Sequence, residues 1–267
     1  MIIGKAISPF RIKRRNGTVP TDADAQAFIT ASGISGTNAT ATNKLVIDLK
    51  AANIWTKMKC IYPFVGNTAS SQKYNLKDPR DLDIAFRLAF TGGGTFSSNG
   101  YLPNGVNAYA NTNLNPLVQN NTHLSYYSRT NAVGTGGDMG NYLAAPTGAA
   151  TYIDIRGASN LFSFRVNAIG TESSFSNTSS LGLAIINRVS STQQSAFFNN
   201  VKNTFTVSST GVPTGNITIG AVQFGGSILY GNHQCAFASI GDGLTDAEAL
   251  AFYNAVQLFN TTLGRQV

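Results

Sequence analysis

From Cys60 onward, apolar and polar residues alternate with a period of two. In DIAFRLAF (residues 83 to 90), Ile84, Phe86, Leu88 and Phe90 fall on one side of an extended chain, and Asp83, Ala85, Arg87 and Ala89 on the other. LFSFRVNA (161 to 168) repeats the arrangement, with Phe162, Phe164 and Val166 alternating with Ser163, Arg165 and Asn167. HLSYYSR, TYIDIR, LGLAIINRV, NTFTVSS, NITIGAVQF and SILYG are further candidate strands, set apart by clusters of Gly, Asn and Ser. Many short strands with turn signals and no helical pattern between them predict an antiparallel sandwich or barrel, not a parallel sheet.

The two ends read differently. In TVPTDADAQAFITASG, Thr21 is placed to cap a helix, Asp22 and Asp24 suit its positive end, and Gly33 is placed to stop it. A second helix is expected across NKLVIDLKAANIW, where Leu45, Leu49 and Ala52 form a stripe with Val46 beside it. Two short helices bury too little by themselves, so they are expected to pack on the strands that follow. At the other end, CAFASIGDGLTDAEALAFYNAV runs from a strand through a Gly-Asp-Gly turn into a helix over 245 to 263. Thr245 and Glu248 have the spacing of a capping box, with Leu244 as the hydrophobic staple. Phe252, Tyr253, Val256, Phe259 and Leu263 form its apolar stripe, and Gly264 ends it. A stripe with so much aromatic area must cover something. The predicted organisation is an arm over residues 1 to 20, two short helices over 21 to 58, and a β-sandwich with its closing helix over 59 to 267.

Composition supports this pattern. Of the 267 residues, 12% are charged while 27 are Gly, 16 Phe and 10 Tyr, a mixture of turn formers and core aromatics and not that of a disordered chain. The formal charge of +7 resides at the front: residues 1 to 60 hold nine Lys or Arg against three Asp, and the rest hold ten against nine. Arg11, Lys13, Arg14 and Arg15 are its densest cluster, interleaved with Phe10 and Ile12. One short basic cluster is not the basic face or stripe of a nucleic-acid-binding protein, so docking on another protein is the expected use and nucleic acid is not the expected partner. Cys60 and Cys235 lie far apart, without metal-ligand spacing, and no cofactor or metal is expected. No apolar run approaches the length of a membrane span or a secretory leader, so synthesis in a cytoplasm is expected and Asn-X-Ser/Thr triplets such as Asn177-Thr178-Ser179 are read as accidents of composition.

The closing strand, turn and LTDAEALAFYNAV helix resemble the end of laminin-G-like domains of the concanavalin A-like lectin/glucanase superfamily. Three longer stretches, IWTKMKCIYPFVGNTASSQKYNLKDPRDLDIAFRLAF, NNTHLSYYSRTN and FASIGDGLTDAEALAFYNAVQLFNTTLGRQV, are similar to segments of a family of bacteriophage virion proteins that serve as fibre, tail or other surface components. The resemblance covers most of residues 21 to 267 but not the first twenty. It implies a concanavalin A-like jelly roll and a virion location; attachment to other virion proteins through the basic arm, which lies outside the resemblance, homo-oligomerisation and a host-surface glycan as a candidate partner are further expectations of the same reading. It carries no catalytic or ligand residues that map onto this chain.

Because the superfamily includes glucanases, paired carboxylates matter. Asp81 and Asp83 are expected on one face of a strand, but the next alternate residue is Ala85, where the glucanase pattern has a third acid. Glu172 and Glu248 are the only glutamates; the first falls in a loop-like stretch and the second is accounted for by capping. His123 and His233 have no companions at ligand spacing and read as structural. TGGGTFSSNG lacks the Lys and the following helix of a phosphate loop, and reads as a hairpin. The expectation is a non-enzyme. The candidate glycan-binding face is Arg87, His123, Tyr127, Arg129 and Arg165 on the polar phase of several strands, where Arg forks and Tyr rings suit acidic sugars; a solvated sheet face would look the same. The alternative function is a carbohydrate-binding or glycan-cleaving lectin-like module.

Overall fold

The computed structural model describes residues 21 to 115, 117 to 142, 148 to 170 and 172 to 267. The basic arm with Arg11, Lys13, Arg14 and Arg15 lies outside the described residues.

Two sheets stack face to face. The first runs in the order Val201–Thr206, Gln193–Phe198, Gly182–Arg188, Thr122–Ser128, Cys235–Gly241, Gly100–Leu102, Thr95–Ser97, and Met58–Tyr62 also pairs with Cys235–Gly241. The second runs Ser173–Ser176, Leu161–Ile169, Ala149–Asp154, Met139–Tyr142, Thr218–Ile219, Tyr109–Asn111, Ala89–Thr91, with the hairpin Ala221–Phe224 and Ser227–Tyr230 attached to Met139–Tyr142. Pairing is antiparallel except between Ala221–Phe224 and Met139–Tyr142, which run parallel. Gly220, at φ +80°, is what lets the chain turn from one short strand into the next within NITIGAVQF. The mainly β, jelly-roll-like sandwich expected from the alternation is therefore present.

Period two explains which residues meet between the sheets. Leu124, Tyr126, Ala184, Ile186, Ala238 and Ile240 of the first sheet pack against Met139, Ile153, Phe162, Phe164, Val166 and Ile219 of the second. The opposite phase of the first sheet is equally apolar: Tyr127, Leu183, Ile185, Phe197 and Phe237 are buried too. Strands such as Gly182–Arg188 are consequently buried at every position.

The helices cover that outer phase. Helix α1 (Ala23–Ser32) ends at Gly33 in the left-handed region as expected, but its cap is Asp22, not Thr21: the Asp22 carboxylate accepts the Asp24 N–H at 2.9 Å. Helix α2 (Gly36–Ala51) begins well before the predicted stretch, through Gly, Thr and Asn, which favour helix weakly. Its buried Ala41, Leu45, Val46 and Leu49 pack in the same apolar cluster as the closing helix, so tertiary burial overrides propensity. Helix α3 is a single capped turn, Ala69–Gln72. Helix α4 (Asp246–Thr262) has the expected Thr245–Glu248 capping box and buries Phe252, Val256 and Phe259. Lys57 binds Glu248 at 2.6 Å, tying the N-terminal helical segment to the first turn of α4. Arg265, just beyond α4, is fully buried and donates to the carbonyls of Pro63, Phe64 and Ala236.

One predicted strand is largely absent. Asp83–Ala85 forms a 3-10 turn, Phe86 closes it at φ 59°, and only Ala89–Thr91 is extended. The alternation there is broken by ion pairing: Arg87 binds Asp81 at 2.7 Å and Asp83 at 2.9 Å, which curls the segment, and Ile84 is left 76% exposed.

Candidate functional site

The outer face of the second sheet carries a cavity of about 500 Å³. Cross-strand pairing sets its floor. Arg165 lies opposite Tyr152, Tyr152 opposite Gly140, and Gly140 opposite Val222, which is opposite Leu229; two residues along, Tyr142 lies opposite Phe224. Partners in a ladder point the same way, so these side chains share one face. Gly140 is at φ +142°, and a Cβ there would come within 2.3 Å of the Thr151 carbonyl, so only glycine lets the sheet close at this point.

The cavity has two unlike walls. Tyr142, Val222, Phe224 and Leu229 form an apolar one, with the Tyr142 and Phe224 rings edge to face at 4.2 Å. Asp154, Ser163, Arg165 and Glu172 form a polar one. The Arg165 guanidinium lies over the Tyr142 ring at 5.1 Å and the Tyr152 ring at 5.9 Å, an arrangement that holds a cation without neutralising it. Its Nη2 donates to the Gly170 carbonyl at 2.5 Å, while Nε and Nη1 have no partner among the described residues. Glu172 accepts from the Tyr152 hydroxyl. Oδ1 of Asp154 is also without a partner among the described residues. Burial, reinforced by the nearby Asp138 carboxylate, pushes the Asp154 carboxyl up to about 8.

Behind this wall, His233 and Asp138 form a fully buried pair, Nδ1 to Oδ1 at 2.7 Å. Burial alone would depress the imidazole, but Asp138 outweighs it, together with the Ala132 carbonyl at Nε2, and holds His233 at about 9. His233 is thus the structural histidine that its isolation suggested, in a bend before the strand Cys235–Gly241.

The five candidate ligand residues do not share a face. Arg165 alone lies in the cavity. Arg87 sits on the loop before Ala89–Thr91, committed to Asp81 and Asp83. His123 and Tyr127 are on a first-sheet strand and fully buried. His123 Nδ1 meets the Asp242 carbonyl at 2.6 Å and its ring abuts Phe252, while Tyr127 packs in the cluster under the helices. Arg129 lies just past the same strand and donates to the Arg265 carbonyl. Asp81 and Asp83 are likewise not on a strand face; Asp81 is held by Lys73 and Arg87. Tyr142, Tyr152, Asp154 and Phe224 were missed, although TYIDIR carries Tyr152 and Asp154 in its outward phase. Cys60 and Cys235 are buried free thiols, and burial pushes Cys60 up to about 12, so it does not ionise near neutral pH. No group of three or more potential metal ligands occurs among the described residues.

No family model matches the chain, and no curated protein matches it. Solved structures do. The chain is similar to HCR/D-Sa-GBL1/C at 13% identity and a TM-score of 0.50, over 76% of this chain and 53% of that one. It is similar to the binding domain of botulinum neurotoxin DC in complex with SialylT at 14% identity and a TM-score of 0.48, over 64% and 47%. A third is the CBM40 of the Ruminococcus gnavus IT-sialidase bound to α2,3-sialyllactose, at 16% identity and a TM-score of 0.39, over 51% and 83%. The chain thus spans about half the length of the first two. At these identities the likeness speaks to fold alone, that of a two-sheet β-sandwich.

Proposed function

We propose that the chain is a glycan-binding module whose site is the cavity on the outer face of the second sheet. The observation that carries this reading is the pairing of an aromatic wall with a polar one in a single cleft. A sugar ring presents C–H faces to aromatic side chains and hydroxyls to charged groups, and a cleft of this size with a few convergent polar groups is the usual form of a small-ligand site. The opposite face of the sandwich is closed by α2 and α4, which leaves the second sheet as the functional one. The test is a glycan array followed by titration of the hits. Binding should fall at least tenfold in Tyr142→Ala and Phe224→Ala, both on the partly exposed rim; hits unaffected by both variants would remove the cavity from the reading. Hydrolysis of a bound glycan, lost in Asp154→Asn, would replace binding with cleavage.

The proposal places this module on a bacteriophage virion, as a surface fibre, spike or tail component. Its support is the similarity of the three sequence stretches quoted above. In this reading residues 1 to 20 join the module to another virion protein with acidic groups and apolar grooves, and copies assemble symmetrically. A chain lacking residues 2 to 18 should fold and stay soluble yet fail to join particles; normal incorporation would refute the arm's role.

A further inference from the structure

Among the described residues three arginines are almost wholly buried, and two of them are saturated. Arg188 donates to the carbonyls of Val166, Ser190, Gln193 and Val207 and to the Gln194 side chain. Arg265 is held by backbone carbonyls and Asn260 Oδ1. Arg165 differs: it is 6% exposed, has one carbonyl partner, and leaves two nitrogens unpartnered among the described residues. It makes no ion pair with any described acid. The residues outside the description contain no Asp or Glu at all, so the chain holds no carboxylate that pairs with it. A buried cation without a counter-charge is expensive to maintain, and proteins tolerate one where a ligand completes it.

We propose that the cavity takes an anionic glycan, a sugar bearing a carboxylate, with Arg165 as its anchor. The inference rests on the glycan-binding reading above and names the ligand class for that site. The guanidinium offers donors in a plane matched to a carboxylate, while Tyr142 and Phe224 supply the surface for the ring. The two acids of the polar wall do not oppose this. Glu172 is exposed and engaged by the Tyr152 hydroxyl. Asp154, half-buried with Asp138 nearby, has its carboxyl pushed well above the usual carboxylate range by desolvation and that neighbour, which favours the protonated form that donates to a ligand.

The experiment compares carboxylated glycans, terminated by uronic or nonulosonic acids, with counterparts in which the carboxylate is reduced to hydroxymethyl, on one array and then by titration against the full chain. The expected result is a preference of at least tenfold for the carboxylated member, weakened by salt and abolished in Arg165→Gln. The comparison of ligands on the unaltered protein does not depend on how well the variant folds. Equal or better binding of the reduced glycans overturns the inference and leaves glycan binding standing. Binding of neither set overturns both. A preference that survives in Arg165→Gln removes Arg165 as the anchor.

Discussion

Replacing Phe252 with alanine tests whether α4 is part of the cooperative fold. Phe252 is fully buried, with its ring centroid 5.9 Å from those of Phe237 in the sheet and His123 on the neighbouring strand. It belongs to the cluster that joins α2, α4 and the first sheet. The change removes a phenyl group from a site walled by strand backbone on one side and helix on the other, so little collapse is available to fill the void. The loss should sit in the usual range for a buried aromatic, about 3–5 kcal/mol. For a chain of this size each kcal/mol moves the melting midpoint by about 2–4 °C, so a drop on the order of 10 °C is expected. Far-ultraviolet circular dichroism during thermal and urea denaturation reads it, with Leu258→Ala as the control. Leu258 is on the same helix but 44% exposed, and its loss should cost less than about 1 kcal/mol. If the two variants melt together within 2 °C, α4 is docked on the outside and the covering argument fails.

Three further outcomes are expected. Burial depresses His123 to about 4 against an ordinary value of 6.5, so folding favours the neutral ring and the unfolded chain takes up a proton there as pH falls from 6.5 toward 4, a loss of about 3 kcal/mol; urea titrations across that window should show the parent losing about that much stability relative to His123→Gln, whatever the slope that other groups such as Asp154 impose on both. Arg265→Ala orphans several buried carbonyls and should cost roughly 3 kcal/mol or more; a loss under about 1 kcal/mol in chemical denaturation would mean that water replaces the guanidinium. Asp154 is raised to about 8 and is faced by Asp138, His233 and Glu172, with the Arg156 backbone N–H also bound to it; binding of a carboxylated glycan should therefore weaken as pH rises through 8, and Asp154→Asn should show no such decline in titrations at pH 6 and 9.

How much of the fold was legible follows from which interactions decide each element. Leu161–Ile169, Gly182–Arg188 and the Thr245 capping box were readable because alternation and capping act over a few neighbouring residues. The segment 81 to 90 misled because its alternation is genuine, while the choice between extended and curled backbone was made by Arg87 reaching two aspartates, a contact that periodicity does not encode. Helix α2 began early because Gly36 to Thr42 becomes helical only through packing on α4, some two hundred residues away in sequence.

The site was less legible for a related reason. Alternation separates inward from outward phases within one strand, but it does not say which outward phase a helix will cover. His123, Tyr127 and Arg165 all occupy outward phases, and alternation within their own strands does not tell the first two from the third. The apolar stripe of α4 and the strand at 182 to 188 carry a hint: an aromatic cover of that size needs an apolar sheet face beneath it, and Leu183 and Ile185 are as apolar as Ala184 and Ile186 on the other phase. Strands apolar in one phase only, such as 161 to 169, turn the other phase away from the intersheet core, and the cavity with Arg165, Tyr152 and Asp154 is formed where those polar phases sit side by side. That Arg165 finds one carbonyl and leaves two nitrogens without a partner among the described residues lies beyond such reasoning, since it depends on contacts between segments that alternation does not encode.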